Sequence, residues 1–107
     1  MQPNKIMHID LECENYMYYG ALASPRHPQN YVVAVGQAID GPEGYGPVTG
    51  EYYTSPPEKW LHIPDDVWLL VAHNAPFEMD WFLEKQRDEI MRFLARGGRV
   101  FCTAYAE

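Results

Sequence analysis

Asp10 and Glu12 stand two residues apart in Ile9-Asp10-Leu11-Glu12, and His8 lies two residues before Asp10. Side chains alternate faces along an extended strand, so these three project together. Two carboxylates on one face repel each other, and burial adds a desolvation cost. A hard divalent cation relieves both, and oxygen donors of this kind suit Mg2+ or Mn2+, which also hold phosphate oxygens. The plainer alternative is an edge strand whose acids are simply solvated.

A second constellation is His73-Asn74-Ala75-Pro76-Phe77-Glu78, which ends an apolar run and opens a helical pattern. Asn74 is a good helix cap, and Pro76 suits the first turn. Glu78 follows the aromatic residue and points from the start of the helix toward whatever the preceding strand end binds. Asp80, two positions further round, faces elsewhere. The structural alternative is that both acids only favour the helix dipole.

These groups need elements to position them. Lys5–Cys13 reads as a buried strand, and Glu14–Asn30 as a loop broken by Gly20, Pro25 and Pro28. Tyr31–Asp40 is the strongest strand pattern, and Pro47–Ser55 reads as a third strand after a turn at Gly41–Gly46. One helical turn is expected around Glu58–Leu61. The apolar run Val67–Ala72 suits a central strand buried on both faces. From Pro76, Phe77, Trp81, Phe82, Ile90, Met91 and Leu94 recur at helical spacing, as one helix or two broken near Arg87, closed by Gly97-Gly98. Arg99–Ala104 reads as a last strand. Three antiparallel strands followed by parallel β-α-β steps give an α/β fold with a mixed sheet.

The net charge is −7, unfavourable for a surface that grips nucleic acid through phosphates alone. Cys13 and Cys102 are far apart and not in metal-ligand spacing, so reduced thiols are expected. No apolar run approaches a membrane span and no signal peptide is evident, so a cytoplasmic protein is expected, in a bacterial or phage-infected cell. In the first loop, Tyr16, Tyr18, Tyr19, Arg26 and His27 suit stacking on single-stranded bases. A loop packed by its own tyrosines is the plainer reading. Trp60, Trp68, Trp81 and Phe82 read as core. The arginines at 87, 92, 96 and 99 read as a solvated helix face.

Taken together, the two acidic segments resemble the first and second motifs of the DEDD 3′–5′ exonucleases, and the His-Asn-Ala-x-Phe-Glu pattern is similar to proofreading domains of phage-type family A DNA polymerases. Glu78 departs from the Asp usual at that place. The resemblance implies a ribonuclease H-like fold, here a single partial domain over residues 1–107, incomplete at its C-terminal end. It implies two Mg2+ or Mn2+ ions about 3.5–4 Å apart, acting on the 3′ end of single-stranded DNA. Asp10, Glu12 and Glu78 would be catalytic metal ligands, with Asp80 as the fallback; Asn74, His73 and Phe77 would contact substrate. The family's third motif, Tyr- or His-x-x-x-Asp, does not follow Glu78. His62 and Asp66 have that spacing but precede the second motif, and read as chance. The chain is therefore expected to act with the remainder of a polymerase or exonuclease on another chain, or by self-association. The alternative is a non-catalytic ribonuclease H-like module that binds a partner protein through its incomplete face.

Overall fold

A computed structural model describes residues 3–103. Five strands and two helices run in the order β1 (Lys5–Cys13), β2 (Val32–Asp40), β3 (Thr49–Tyr52), β4 (Val67–Ala72), α1 (Ala75–Lys85), α2 (Arg87–Ala95) and β5 (Arg99–Cys102). The strands form one mixed sheet in the order β3-β2-β1-β4-β5. β1–β2 and β2–β3 are antiparallel, whereas β1–β4 and β4–β5 are parallel. The expected α/β class and its antiparallel-then-parallel progression are therefore present. β3 is shorter than expected. Ala104, assigned to the last strand, lies outside the described residues.

Alternation in β1 sends Met7, Ile9 and Leu11 into the core and leaves His8, Asp10 and Glu12 exposed. Both helices cover the first face: Trp81 and Phe82 of α1 and Ile90 and Phe93 of α2 are buried with Val32, Val35, Leu70 and Ala72. Full burial of each large apolar side chain is worth roughly 1.5–3 kcal/mol. The other face carries no helix among the described residues. This corrects one expectation: β4 is buried on one face only, with Val67, Leu70 and Ala72 buried while Leu69 and Val71 are half-exposed. Trp68 is likewise not core but 40% exposed, because the β1–β4 register shifts between Lys5 and Ile6 and turns it outward.

The helical pattern breaks into two helices at Gln86. Gln86 is buried; its carbonyl oxygen accepts from the Trp60 and Leu61 N–H groups, both at 3.2 Å, and its amide donates to the Glu58 carbonyl at 3.1 Å. Those bonds replace the helical turn expected over Glu58–Leu61, which is extended and irregular. Glu89, one turn later, accepts from the Ile63 N–H at 2.6 Å and pairs with Lys59 and Arg92. The end of α2 is a Schellman cap. Gly97 adopts φ +94, its N–H bonds to the Leu94 carbonyl, and the Gly98 N–H bonds to the Phe93 carbonyl.

Candidate functional site

Asp10 and Glu12 lie toward the end of β1, on the face of the sheet that no helix covers among the described residues. Parallel pairing sets Ile9 beside Ala72, so Asp10 adjoins the level of His73; on its other side Asp10 pairs with Gly36. Glu12, one step further along the same exposed face, pairs with Ala34. Small residues therefore flank both acids. Beside Asp10 the sheet surface sinks into a depression of about 350 Å³, whose lining includes His8, Gly36, Ala38, Val71, His73 and Thr103. A β-carbon on Gly36 would meet nothing within 4 Å.

Glu78 arrives from α1. Its helix begins directly after β4, with Asn74 as the N-cap residue and a proline in the first turn. The Asn74 carbonyl accepts the Phe77 and Glu78 N–H groups at 3.0 and 3.1 Å, but its side chain makes no capping hydrogen bond. Helical periodicity places Glu78 on the inward stripe with Ala75, Trp81 and Phe82, and it is only 2% exposed. Its Oε2 has no hydrogen-bond partner among the described residues. Burial pushes this carboxyl up, and the Asp10 charge adds to the rise; the nearby Glu78 and Asn74 amides and His73 pull the other way. The charges also meet at Cys13. Burial, and then Glu78, Glu12 and Asp10 in that order, push its thiol up to about 12.

Asp80 is engaged elsewhere. It accepts a two-pronged hydrogen bond from Arg26, at 3.0 and 2.6 Å, on the outer side of α1. His73 Nδ1 lies 3.0 Å from Thr103 Oγ1, and the His73 carbonyl is held by Cys102 Sγ at 3.5 Å. Phe77 is half-buried against the core, its ring tilted toward Trp81 at 6.5 Å. His8 projects with the acids but pairs with Asp40 at 2.8 Å. The chance spacing of His62 and Asp66 lies at the far end of the sheet. Asp66 adjoins Val67, the residue paired with Lys5, and binds Lys5 itself. Five residues of β1 separate that end from Asp10, roughly 16 Å at strand rise.

As donors, the carboxylate oxygens of Asp10, Glu12 and Glu78 fit a hard divalent cation, and the unpartnered buried oxygen of Glu78 is the kind of atom such a cation would satisfy. The fit is partial. Among the described residues, no three His, Cys, Asp or Glu side chains come together closely enough to hold a metal ion. The pair on β1 is laid out side by side, while Glu78 is drawn into the helical layer. The sequence reading missed the buried polar residues that brace the connecting segments. Asn30 ties Tyr16 to Ser24, and Gln86 and Glu89 hold the 56–66 segment. Their only trace in the sequence is a polar residue falling on an otherwise apolar stripe. No helix among the described residues is long and apolar enough to cross a membrane. No family model, curated protein or solved structure matches the chain.

Proposed function

We propose that this chain carries the acidic site of a two-metal-ion 3′–5′ exonuclease of the DEDD type, on a ribonuclease H-like sheet. The observation that carries the reading is the pair Asp10 and Glu12 on one face of β1, together with the buried, unpartnered Glu78 in the first turn of α1, the helix that follows the neighbouring strand β4. The sheet supports it: three antiparallel strands lead, and parallel β4 and β5 follow with a helical crossover between them. Asp10 and Glu12 would hold the ions, and Glu78 would complete the set by a shift of its side chain. Ions held there would supply the chemistry of lowering the pKa of an attacking water and stabilising in-line displacement at phosphorus. The depression beside Asp10 has room for the terminal nucleotide, and His73 and Thr103 offer it polar contacts on one wall.

A second reading rests on the uncovered sheet face. Leu69 and Val71 are half-exposed there, and Phe101 is 47% exposed. Such a face suits a non-catalytic module that docks a partner protein. Calorimetric titration of Mn2+ into the protein and into Asp10→Ala, with a manganese-supplemented assay on single-stranded DNA, separates the two. The exonuclease reading expects binding that Asp10→Ala weakens by about tenfold or more. It also expects hydrolysis that falls with metal affinity in Asp10→Ala. Identical, flat isotherms for both proteins would remove the metal site.

A further inference from the structure

Among the described residues, four of the ten large apolar side chains that stand exposed fall within seven residues, at Tyr16, Met17, Tyr19 and Leu22. They belong to the loop that leaves β1 directly after Glu12 and Cys13. The loop is held in place. Buried Asn30 accepts from the Tyr16 N–H at 2.9 Å and donates to the Tyr16 and Ser24 carbonyls at 2.7 and 2.8 Å. Trp81 Nε1 donates to the Ala23 carbonyl at 3.1 Å, and Arg26 is forked onto Asp80. Both anchors sit on α1, the helix that carries Glu78.

At the tip, Tyr18 and Ala21 exchange two backbone hydrogen bonds of 3.0 Å around Tyr19 and Gly20, whose φ values are 48° and 86°. Two positive φ angles mark a type I′ turn, in which Asn or Gly is the usual first central residue. Here that place is held by a tyrosine that is 92% exposed. The side chain is bulky, in a disfavoured conformation, on an anchored loop and offered to solvent. Each tyrosine of the loop has one ring partner within it: Tyr16 stacks on His27 at 5.2 Å, and Tyr18 and Tyr19 meet edge to face at 4.5 Å, a contact that still leaves Tyr19 open to solvent.

We infer that the Tyr16–Leu22 knuckle is a stacking surface for the unpaired bases of a nucleic-acid strand whose end lies at the acidic site. This rests on the exonuclease reading and adds to it the surface that grips the substrate. Charge favours bases as the ligand. The chain is strongly acidic, yet residues 15–25 contain no charged side chain, so they add no repulsion of their own to an approaching polyanion. The one cation nearby, Arg26, is already neutralised by Asp80. Affinity must then come from ring faces rather than phosphate contacts, and every base presents a ring face.

The test is anisotropy of a fluorescent single-stranded oligothymidylate with the full chain in EDTA, so that no hydrolysis intervenes. Tyr19→Ala is expected to weaken binding by about 5- to 150-fold, the span of one base–aromatic stack. Tyr19→Phe should bind within about twofold of the unsubstituted chain, because the ring face is kept. An oligomer with abasic sites near its 3′ end should bind the unsubstituted chain weakly and show no further loss with Tyr19→Ala. Undiminished binding by Tyr19→Ala, or no binding by the unsubstituted chain, overturns the inference. So does a Tyr19→Ala variant that changes only the sedimentation of the protein, which would assign the knuckle to contact between copies. Manganese binding by Asp10 is measured separately, so the stacking surface can fail while the acidic site stands, and the reverse.

Discussion

Arg26 reaches across from the β1–β2 loop to fork both guanidinium nitrogens onto Asp80, and in doing so removes Asp80 from the neighbourhood of Asp10. Glu78, two residues earlier, turns inward instead. This geometry separates the two acids by role. Asp80→Asn is expected to leave Mn2+ affinity within about twofold, whereas Glu78→Gln weakens it by about tenfold or more. Asp80→Asn should also speed amide exchange across the loop, because one of its two anchors on α1 is gone. Calorimetry and hydrogen exchange on the same two variants check both parts. Equal loss of metal affinity in both would show that Asp80 belongs to the site.

Glu78 occupies a place on α1 that packing alone would give to an apolar residue. Its unpartnered, buried Oε2 carries a desolvation penalty of about 1–3 kcal/mol. Glu78→Met keeps the length of the side chain and removes the polar group, so it is expected to stabilise the fold by about 1–2 kcal/mol. For a domain of this size each kcal/mol raises Tm by about 4–8 °C. Thermal unfolding with and without Mn2+ is the measurement. The unsubstituted chain should gain stability with the ion, and Glu78→Met should gain little. A destabilised variant would mean that the carboxylate has a structural partner.

Glu89 is a buried acid of the opposite kind. Burial alone would raise its carboxyl, but the Ile63 N–H, Arg92 and Lys59 outweigh that and hold it below the usual glutamate value of 4.5. A depressed folded-state pKa contributes stability that is fully present above the unfolded value and is lost as pH falls through the folded one. Unfolding free energy should therefore drop as pH falls below about 4.5, and Glu89→Gln should flatten that part of the profile. Glu89→Ala leaves the Ile63 N–H and Lys59 without their acceptor and takes one of three from Arg92, at a cost of about 3 kcal/mol at neutral pH. Urea denaturation across pH measures both. A Glu89→Gln profile parallel to that of the unsubstituted chain would rule out this linkage.

Much of the arrangement around the acids is legible in the residues. The alternation from Ile6 to Glu12 sets three polar side chains on one face, and the break after Lys85 and the paired glycines at 97 and 98 bound the helices where they occur. What escaped depends on partners distant in sequence. Val67–Ala72 is uniformly apolar, so its own pattern could not tell one covered face from two; the number of helices decided it. Trp60 and Leu61 looked helical only while their N–H groups lacked an acceptor, and Gln86 supplies one from 25 or 26 residues away. Tyr19 followed by Gly20 was visible as a break but not as a type I′ turn, because tyrosine is a poor residue for that place.

Gly36 provides a test of the depression itself. It lies opposite Asp10 on β2, on the uncovered face, and its missing side chain leaves open space beside the acid. A β-branched residue suits a strand, and a β-carbon there touches nothing within 4 Å, so Gly36→Val should fold at least as stably as the parent. Removing glycine also narrows the unfolded ensemble, a gain of about 0.4–1 kcal/mol where the backbone conformation is compatible. The added methyl groups would project into the place assigned to the terminal nucleotide. Mn2+ affinity should therefore be kept within about twofold, because no carboxylate is altered. Binding of the oligonucleotide 3′ end should fall by about tenfold, and any hydrolysis should fall with it. Three measurements on one variant then separate fold, metal site and substrate site. Unchanged oligonucleotide binding with a stable fold would place the strand end away from this depression, whereas loss of Mn2+ binding would show that the ions, not the nucleotide, occupy it.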